Sequence, residues 1–397
     1  MTSTDQADPS FRYFPDDYRW SHGLLGALNS APWGGAEIGE VHRVGLVLRE
    51  HPGDDAAWVA AWADQAARLE SAGRARLAEG HRRSGALYLL RAANYAQIGE
   101  RFAQPKTAAT NEIYRRAVAC FADAAAVLHR PRIEAVEIPY EGTTLPGLLV
   151  HADALPERSG PVPAMVFFDG LDITKEIQYF KGVPELAARG VACLLVDGPG
   201  NGEAIRFRGL KLHAETERYA TPAYEFLAAR SDIDAARIGV MAISLGGYYA
   251  PRAAAFEHRF ACCIAWGAQW DYHAIWQRRF EQLAARTTPS LSVPAEHILW
   301  ILGAADQQDA LDKLRDFRLE GIVQRIACPF LMLHGAGDEQ IPLPLAQLCF
   351  DKVGSARKTM RVFDREEGGF HHCQIDNLSV GVAAMWDWVE DVLQPQR

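Results

Sequence analysis

Ser244 is where this 397-residue chain could carry out nucleophilic chemistry. It sits in Arg237-Ile-Gly-Val-Met-Ala-Ile-Ser-Leu-Gly-Gly-Tyr-Tyr249, where an apolar run from Ile238 to Ile243 leads into the serine. Gly246-Gly247 then opens an amphipathic segment. That order puts the serine in a tight strand-to-helix turn, with its hydroxyl raised from the end of a sheet. The turn needs small residues two positions before and two after, and here they are Ala242 and Gly246. A serine hydroxyl is a weak nucleophile until an imidazole takes its proton and a carboxylate orients that imidazole. Both partners are expected after later strands. Cys328-Pro-Phe-Leu-Met-Leu-His-Gly-Ala-Gly-Asp338 reads as a buried strand ending in a Gly-rich turn and Asp338. Lys358 to Asp364 reads as another strand, and the loop after it holds His371 and His372. Each residue alone has an ordinary fate: serine caps helices, aspartate makes turns, histidine sits at surfaces. Serine, acid and histidine in this order, each after a predicted strand, form a triad pattern. Adjacent loop residues point apart, so only one of the two histidines can face Ser244.

The elements that must hold these residues fall into two regions. From Asp54 to His129 the chain is Ala-rich, with apolar residues at helical spacing (Trp58, Ala61, Trp62, Ala66, Leu69) and almost no strand pattern. Pro105 interrupts it, Thr110 to Leu128 resumes it, and the aromatic-rich stretch Phe11 to Trp20 precedes it. Residues 1–130 therefore read as a helical N-terminal cap domain. Pro131 marks a boundary, after which Ile133–Tyr140 and Thr144–His151 read as a hairpin through Glu141-Gly142. Strand patterns at Val162–Phe168, Val191–Val196, Ile238–Ile243, Phe260–Trp266, Phe330–Leu333 and Thr359–Phe363 then alternate with helical ones. The expectation for residues 131–397 is a mostly parallel sheet with helices on both faces. A direct crossover between the strands near Trp266 and Cys328 would need only about 10–12 residues. The much longer segment there, about residues 270–325, is expected to be a helical lid, with helices over Trp270–Arg286 and His297–Arg318 and a linker from Thr287 to Pro294.

Composition narrows the class of partner. Hydrophobic residues make up 49% and charged residues 23%, as in ordinary globular proteins. A net charge of −9 argues against nucleic acid, which calls for a basic patch. No run approaches the roughly 20 apolar residues of a membrane span, so no membrane partner is expected. The N-terminus lacks the basic and apolar regions of an export signal, and the seven cysteines show no metal spacing. The expectation is a cytoplasmic enzyme with a small-molecule substrate and neither metal nor cofactor, a homodimer being left open.

Several segments together carry a family resemblance: Phe168-Asp-Gly-Leu-Asp-Ile-Thr-Lys-Glu176, Asp197-Gly-Pro-Gly-Asn-Gly-Glu203, Ser244-Leu-Gly-Gly-Tyr-Tyr249, Ala265-Trp-Gly-Ala268 and His372-Cys373. The core resembles the α/β-hydrolase branch containing 2,6-dihydroxypseudooxynicotine hydrolase, the fermentation–respiration switch esterase-like proteins and fungal polyketide-shortening hydrolases. The resemblance implies an α/β-hydrolase fold with a helical N-terminal domain and a helical lid. It also implies a carbon–carbon bond hydrolase or carboxylesterase-like activity. In that branch the catalytic histidine directly precedes a cysteine, which selects His372. The fold implies an oxyanion hole from the backbone N–H of Leu245 and a second donor, Leu171 or alternatively Gly170. Asp169 stands where the branch more often has a small or apolar residue, and Trp276 about where the nicotine-degrading enzyme has an acidic one.

Carbon–carbon cleavage would also need a group that polarises a second carbonyl. Asp172, Lys175, Tyr272 and His273 lie near predicted strand ends and are candidates, while Trp270 and Trp276 suit flat apolar contact with an aromatic or polyketide-like substrate. The first functional expectation is a serine hydrolase attacking a carbonyl of such a substrate, by carbon–carbon or ester cleavage. An acyl-transferring or chain-releasing enzyme of natural-product biosynthesis would use the same triad. A non-catalytic binding module would normally lose a triad member, and a propeller-bearing peptidase would need repeated strands where this chain reads helical.

Overall fold

The helical spacing near the N-terminus produces five helices. The structure, a computed structural model, describes residues 11–154, 160–287 and 289–393. Residues 1–10, read as lacking an export signal, lie outside the described residues, as does Thr288 of the linker. Helix α1, Tyr18–Leu28, starts where the Asp17 carboxylate accepts the Trp20 N–H at 2.9 Å. Helix α2, Ile38–Arg49, lies in a stretch that the sequence reading left unassigned, and it buries Val41, Val44 and Leu48 at helical spacing. Helices α3 (Asp55–Ala78) and α4 (Arg82–Glu100) carry the Ala-rich pattern, and α5 (Ala108–Ala125) opens on a Thr107–Thr110 capping box. Aromatic rings fill the space between them: Trp58 stacks on Phe102 at 4.6 Å and Trp62 meets Tyr95 at 5.3 Å between centroids.

The remaining chain builds one eight-stranded sheet from β1 (Ile133–Tyr140), β2 (Thr143–Val150), β3 (Val162–Phe168), β4 (Ala192–Val196), β5 (Ile233–Ile243), β6 (Cys263–Trp266), β7 (Phe330–Gly335) and β8 (Lys358–Phe363). The order is β1-β2-β4-β3-β5-β6-β7-β8. β1–β2 and β2–β4 are antiparallel, and every other pair is parallel. Strands β4, β6 and β7 are buried along their whole length, as expected of a sheet covered on both faces. Glu141 (φ 42°) and Gly142 (φ 79°) turn the first hairpin with the positive φ pair that a two-residue loop needs. Boundaries moved by a few residues, most of all for β5, which begins at Ile233 rather than Ile238. Seven strands of parallel or antiparallel pairing after β1 thus place the ends of β3, β5, β6, β7 and β8 along one rim.

Between β6 and β7 the described residues form three α-helices, and a 3-10 turn at Val323–Arg325, rather than the two helices expected. Tyr272–Ala284 matches the first. The second splits into Glu296–Leu302 and Gln307–Leu314, because Gly303 at φ 60° ends one and the Asp306 side chain caps the next. Polar side chains join the N-terminal helices to the sheet. Arg101 pairs with Asp172, Glu100 meets Arg206 at 2.6 Å, and Gln97 and Tyr114 reach Glu176 at 3.3 and 3.4 Å. No helix among the described residues is long and apolar enough to cross a membrane.

Candidate active site

Ser244 follows the last residue of β5 and has φ 61°, a left-handed conformation that costs a serine energy. The turn is held by its own backbone: the Ser244 N–H donates to the Trp266 carbonyl at 2.8 Å, and the Gly247 N–H to the Ser244 carbonyl at 2.8 Å. A Cβ on Gly246 would lie 2.4 Å from the Ala242 Cβ, so the two small positions around the serine touch each other. Asp338 is fixed three residues beyond β7, where its Oδ1 accepts the Gln340 and Ile341 N–H groups at 2.8 and 2.9 Å. The histidine loop after β8 is tied down by Asp376, whose carboxylate accepts from the backbone of Gly369, Phe370 and His371 at 2.9–3.0 Å.

These three loops meet. His372 Nε2 lies 2.8 Å from Ser244 Oγ, and its Nδ1 lies 2.7 Å from Asp338 Oδ2. Burial disfavours charge on His372, but the adjacent Asp338 carboxylate and the Cys373 sulfur overcome it and raise the imidazole above its ordinary value. Burial would likewise raise Asp338, and His372 instead holds it low. His371 turns away and lines a separate small cavity with Tyr18, Ser21 and His22 of α1. Cys373 adopts φ 52° and brings its sulfur 3.4 Å from His372 Nε2.

The Leu171 and Leu245 backbone N–H groups have no acceptor among the described residues. The Gly170 N–H donates to Asp169 Oδ1 at 2.5 Å. Gly170 itself lies hard against the serine, since a Cβ there would be 2.9 Å from the Ser244 Cβ.

A partly open cleft lies over Ser244. Residues from far along the chain line it: His22 of α1, Asn29 just after α1, Arg101 just after α4, and Ser292 of the insertion. Asp172 lines it too, with Asp169 and Lys181. The other residues expected to contact substrate lie elsewhere. Lys175 is buried among Glu176, Asp197 and Glu203 at 2.6, 3.0 and 2.6 Å, so its ammonium is satisfied by carboxylates and does not line the cavity. Tyr272 and Trp276 are core residues, 2% and 0% exposed, packed with Phe280 and Arg279. His273 faces outward to Arg318 at 3.2 Å, and Trp270 packs at the edge of the hydrophobic core. The insertion helices thus carry their aromatic residues as packing, and the linker before Glu296 reaches the cavity. Sequence reasoning missed His22, Asn29, Arg101, Lys181 and Ser292, because no local pattern tells which residue of one region will face a site built by another.

The parallel sheet, the serine turn at the end of β5 and the acid and histidine loops after β7 and β8 define an α/β-hydrolase. The profile of the prolyl oligopeptidase family matches residues 178–396, and the chain belongs to that family. Where a propeller-bearing relative would have strands, the described N-terminal residues form helices instead. Full-length relatives include a hydrolase of Aspergillus aculeatus (acrC), 27% identical over 98% of this chain and 99% of its own. The 20-hydroxy-prefusarin hydrolase of Gibberella moniliformis is 27% identical over 97% and 99%. The 2,6-dihydropseudooxynicotine hydrolase of Paenarthrobacter nicotinovorans is 28% identical over 99% and 95%. A crystal structure of 2,6-dihydroxy-pseudo-oxynicotine hydrolase superposes with a TM-score of 0.75 and 24% identity, covering 92% of this chain and 95% of that one. The relatives are hydrolases, and so is this enzyme.

Proposed function

We propose that Ser244, His372 and Asp338 are the catalytic triad of a hydrolase that cleaves a carbon–carbon or ester bond beside a carbonyl of an aromatic or polyketide-like small molecule. The observation that carries this reading is the unbroken chain Ser244 Oγ–His372–Asp338, at 2.8 and 2.7 Å, at a partly covered cleft. Ser244 Oγ attacks the carbonyl carbon as His372 Nε2 takes its proton, and Asp338 stabilises the resulting imidazolium. The tetrahedral oxyanion is received by the Leu245 N–H and by the Leu171 N–H, because the Gly170 N–H already serves Asp169. His372 then passes its proton to the leaving group, and water releases the acyl group from Ser244. Two relatives' names cite small organic molecules, 20-hydroxy-prefusarin and 2,6-dihydropseudooxynicotine, which favours a small substrate over a peptide. Cover from α1, Arg101 and Ser292 suits the same conclusion, since limiting water at the serine strengthens the field at the oxyanion.

The test is product analysis by mass spectrometry on aryl 1,3-diketones, aryl esters and acyl thioesters, with Ser244→Ala alongside. Ser244→Ala should lose roughly 10⁴- to 10⁶-fold in rate while keeping the wild-type melting temperature. A variant retaining more than about a tenth of the rate would remove Ser244 from the chemistry.

A further inference from the structure

One carboxyl group in the cavity has no part in the triad. Asp169 follows β3 directly, lines the Ser244 cavity and is 1% exposed. Its Oδ1 accepts the Gly170 N–H, while Oδ2 is buried with no hydrogen-bond partner among the described residues. The loop cannot easily turn it elsewhere. With the Gln178 amide oriented to fit its neighbours, the Asp169 N–H donates to Gln178 at 2.8 Å and Gln178 donates to the Phe167 carbonyl at 3.2 Å. Leaving a buried polar atom unmade costs about 1–3 kcal/mol, and such atoms persist where a ligand completes them.

We propose that Asp169 is a further catalytic residue, whose Oδ2 carries a proton and donates it in a hydrogen bond to a second carbonyl oxygen of the substrate, β to the carbonyl that Ser244 attacks. This deepens the proposed function, on which it rests, by fixing the substrate class as 1,3-dicarbonyl compounds. The protonation state follows from the surroundings. Burial pushes the Asp169 carboxyl up to about 8, against the opposing pull of Lys181, the Gly170 N–H and Arg101, while Asp172 adds to the rise. Lys181 lines the same cavity, where burial lowers its pKa from the ordinary lysine value and the Asp169 carboxyl works the other way. Arg101 is already committed to Asp172.

The electron count is simple. Ser244 Oγ bonds to the attacked carbonyl carbon, and its proton moves to His372 Nε2. When the tetrahedral centre collapses, the bond to the central carbon of the dicarbonyl breaks and its electron pair stays on the leaving fragment as an enolate. The enolate oxygen keeps the hydrogen bond from Asp169 Oδ2, and the Lys181 ammonium adds a favourable field. His372 returns its proton to the enolate carbon, giving a ketone. Water then cleaves the acyl-serine to a carboxylic acid, so dicarbonyl plus water gives ketone plus acid. Asp169 ends as it began.

The experiment compares kcat/KM for an aryl 1,3-diketone with that for a simple aryl ester in wild type, Asp169→Ala, Asp169→Asn and Ser244→Ala. Because only the diketone has the second oxygen, Asp169→Ala should lower the diketone-to-ester ratio on the order of 100-fold, as loss of one such donor does. Asp169→Asn, whose amide still donates, should hold the ratio within about tenfold of wild type. Infrared difference spectra of wild type against Asp169→Asn at neutral pH should show the carbonyl stretch of a protonated carboxyl. An unchanged ratio in Asp169→Ala, or an ionised Asp169 in the spectrum, overturns the proposal and leaves the triad standing. Cleavage of the ester but never of the diketone overturns the substrate class as well. Activity surviving in Ser244→Ala instead defeats the underlying reading of the site, a result distinguishable from either.

Discussion

At the scale of single residues, the adjacent histidines give the sharpest contrast. His372 touches both Ser244 and Asp338, whereas His371 points to a different cavity beneath α1. His372→Ala should therefore cost as much rate as Ser244→Ala, and His371→Ala less than about tenfold, measured as kcat/KM on one ester. Comparable losses in both would mean that the loop, rather than one ring, is what matters. The pH profile follows from the same ring. Burial works against charge on His372, yet the neighbouring carboxylate raises its pKa above the ordinary imidazole value of 6.5. Only the neutral ring can accept the serine proton, so kcat/KM should climb with pH through a limb lying alkaline of that value. Asp338→Asn removes the carboxylate that causes the rise. Its residual activity, lower by about 10⁴-fold, should show the limb moved toward acid. A wild-type limb at or below 6.5 would contradict the role given to Asp338.

At the scale of elements, what sequence could tell depended on whether a pattern was local. Ser244 was legible because strand, serine and small residues are neighbours, and Gly246 against Ala242 shows why that spelling is demanded. Asp338 and His372 were legible because each ends a strand, and strands buried on both faces announce themselves as apolar runs. Helix α2 escaped because it is half exposed, with Val41, Val44, Gly45 and Leu48 its buried residues. The insertion misled for a related reason: Trp276 and Tyr272 read as ligand contacts, but indole and phenol rings on helices go first to the core. Arg101 illustrates what no reading of one segment provides. It matters through Asp172, seventy-one positions away, and both side chains are nearly inaccessible. Removing one partner from such a buried pair typically costs about 3–5 kcal/mol, while replacing both with apolar groups is often near neutral. Asp172→Leu alone should thus lower stability by about that amount in urea unfolding, and the double variant Arg101→Met/Asp172→Leu should recover most of it. Additive losses would mean that the two side chains act separately.

At the scale of the whole molecule, the N-terminal helices and the sheet share one polar interface. Glu100 binds Arg206 and Lys106, Gln97 and Tyr114 reach Glu176, and Asn29 donates to the Ile375 carbonyl at 2.8 Å. Cutting the chain at Pro131 would strand Arg206 and Asp172 without partners and bare the apolar surface beneath α1. Residues 131–397 expressed alone should lack the cooperative wild-type unfolding transition and elute as aggregates in size-exclusion chromatography. A monomeric fragment with wild-type melting temperature would show that the helices only cover the sheet.

The contact between Asn29 and Ile375 also sets a clock. The two residues are 346 positions apart. A ribosome adding about 5–20 residues per second makes the second roughly 20–70 s after the first. For much of that interval the N-terminal helices wait for the sheet, with Gln97, Glu100 and Arg101 facing water in place of the partners they will meet. On the triad proposed above, His372 follows Ser244 by 128 positions, so a growing chain carries its serine well before the base assigned to it. A chain that stops before His372 is therefore expected to be inert toward substrate, however well its serine turn has formed.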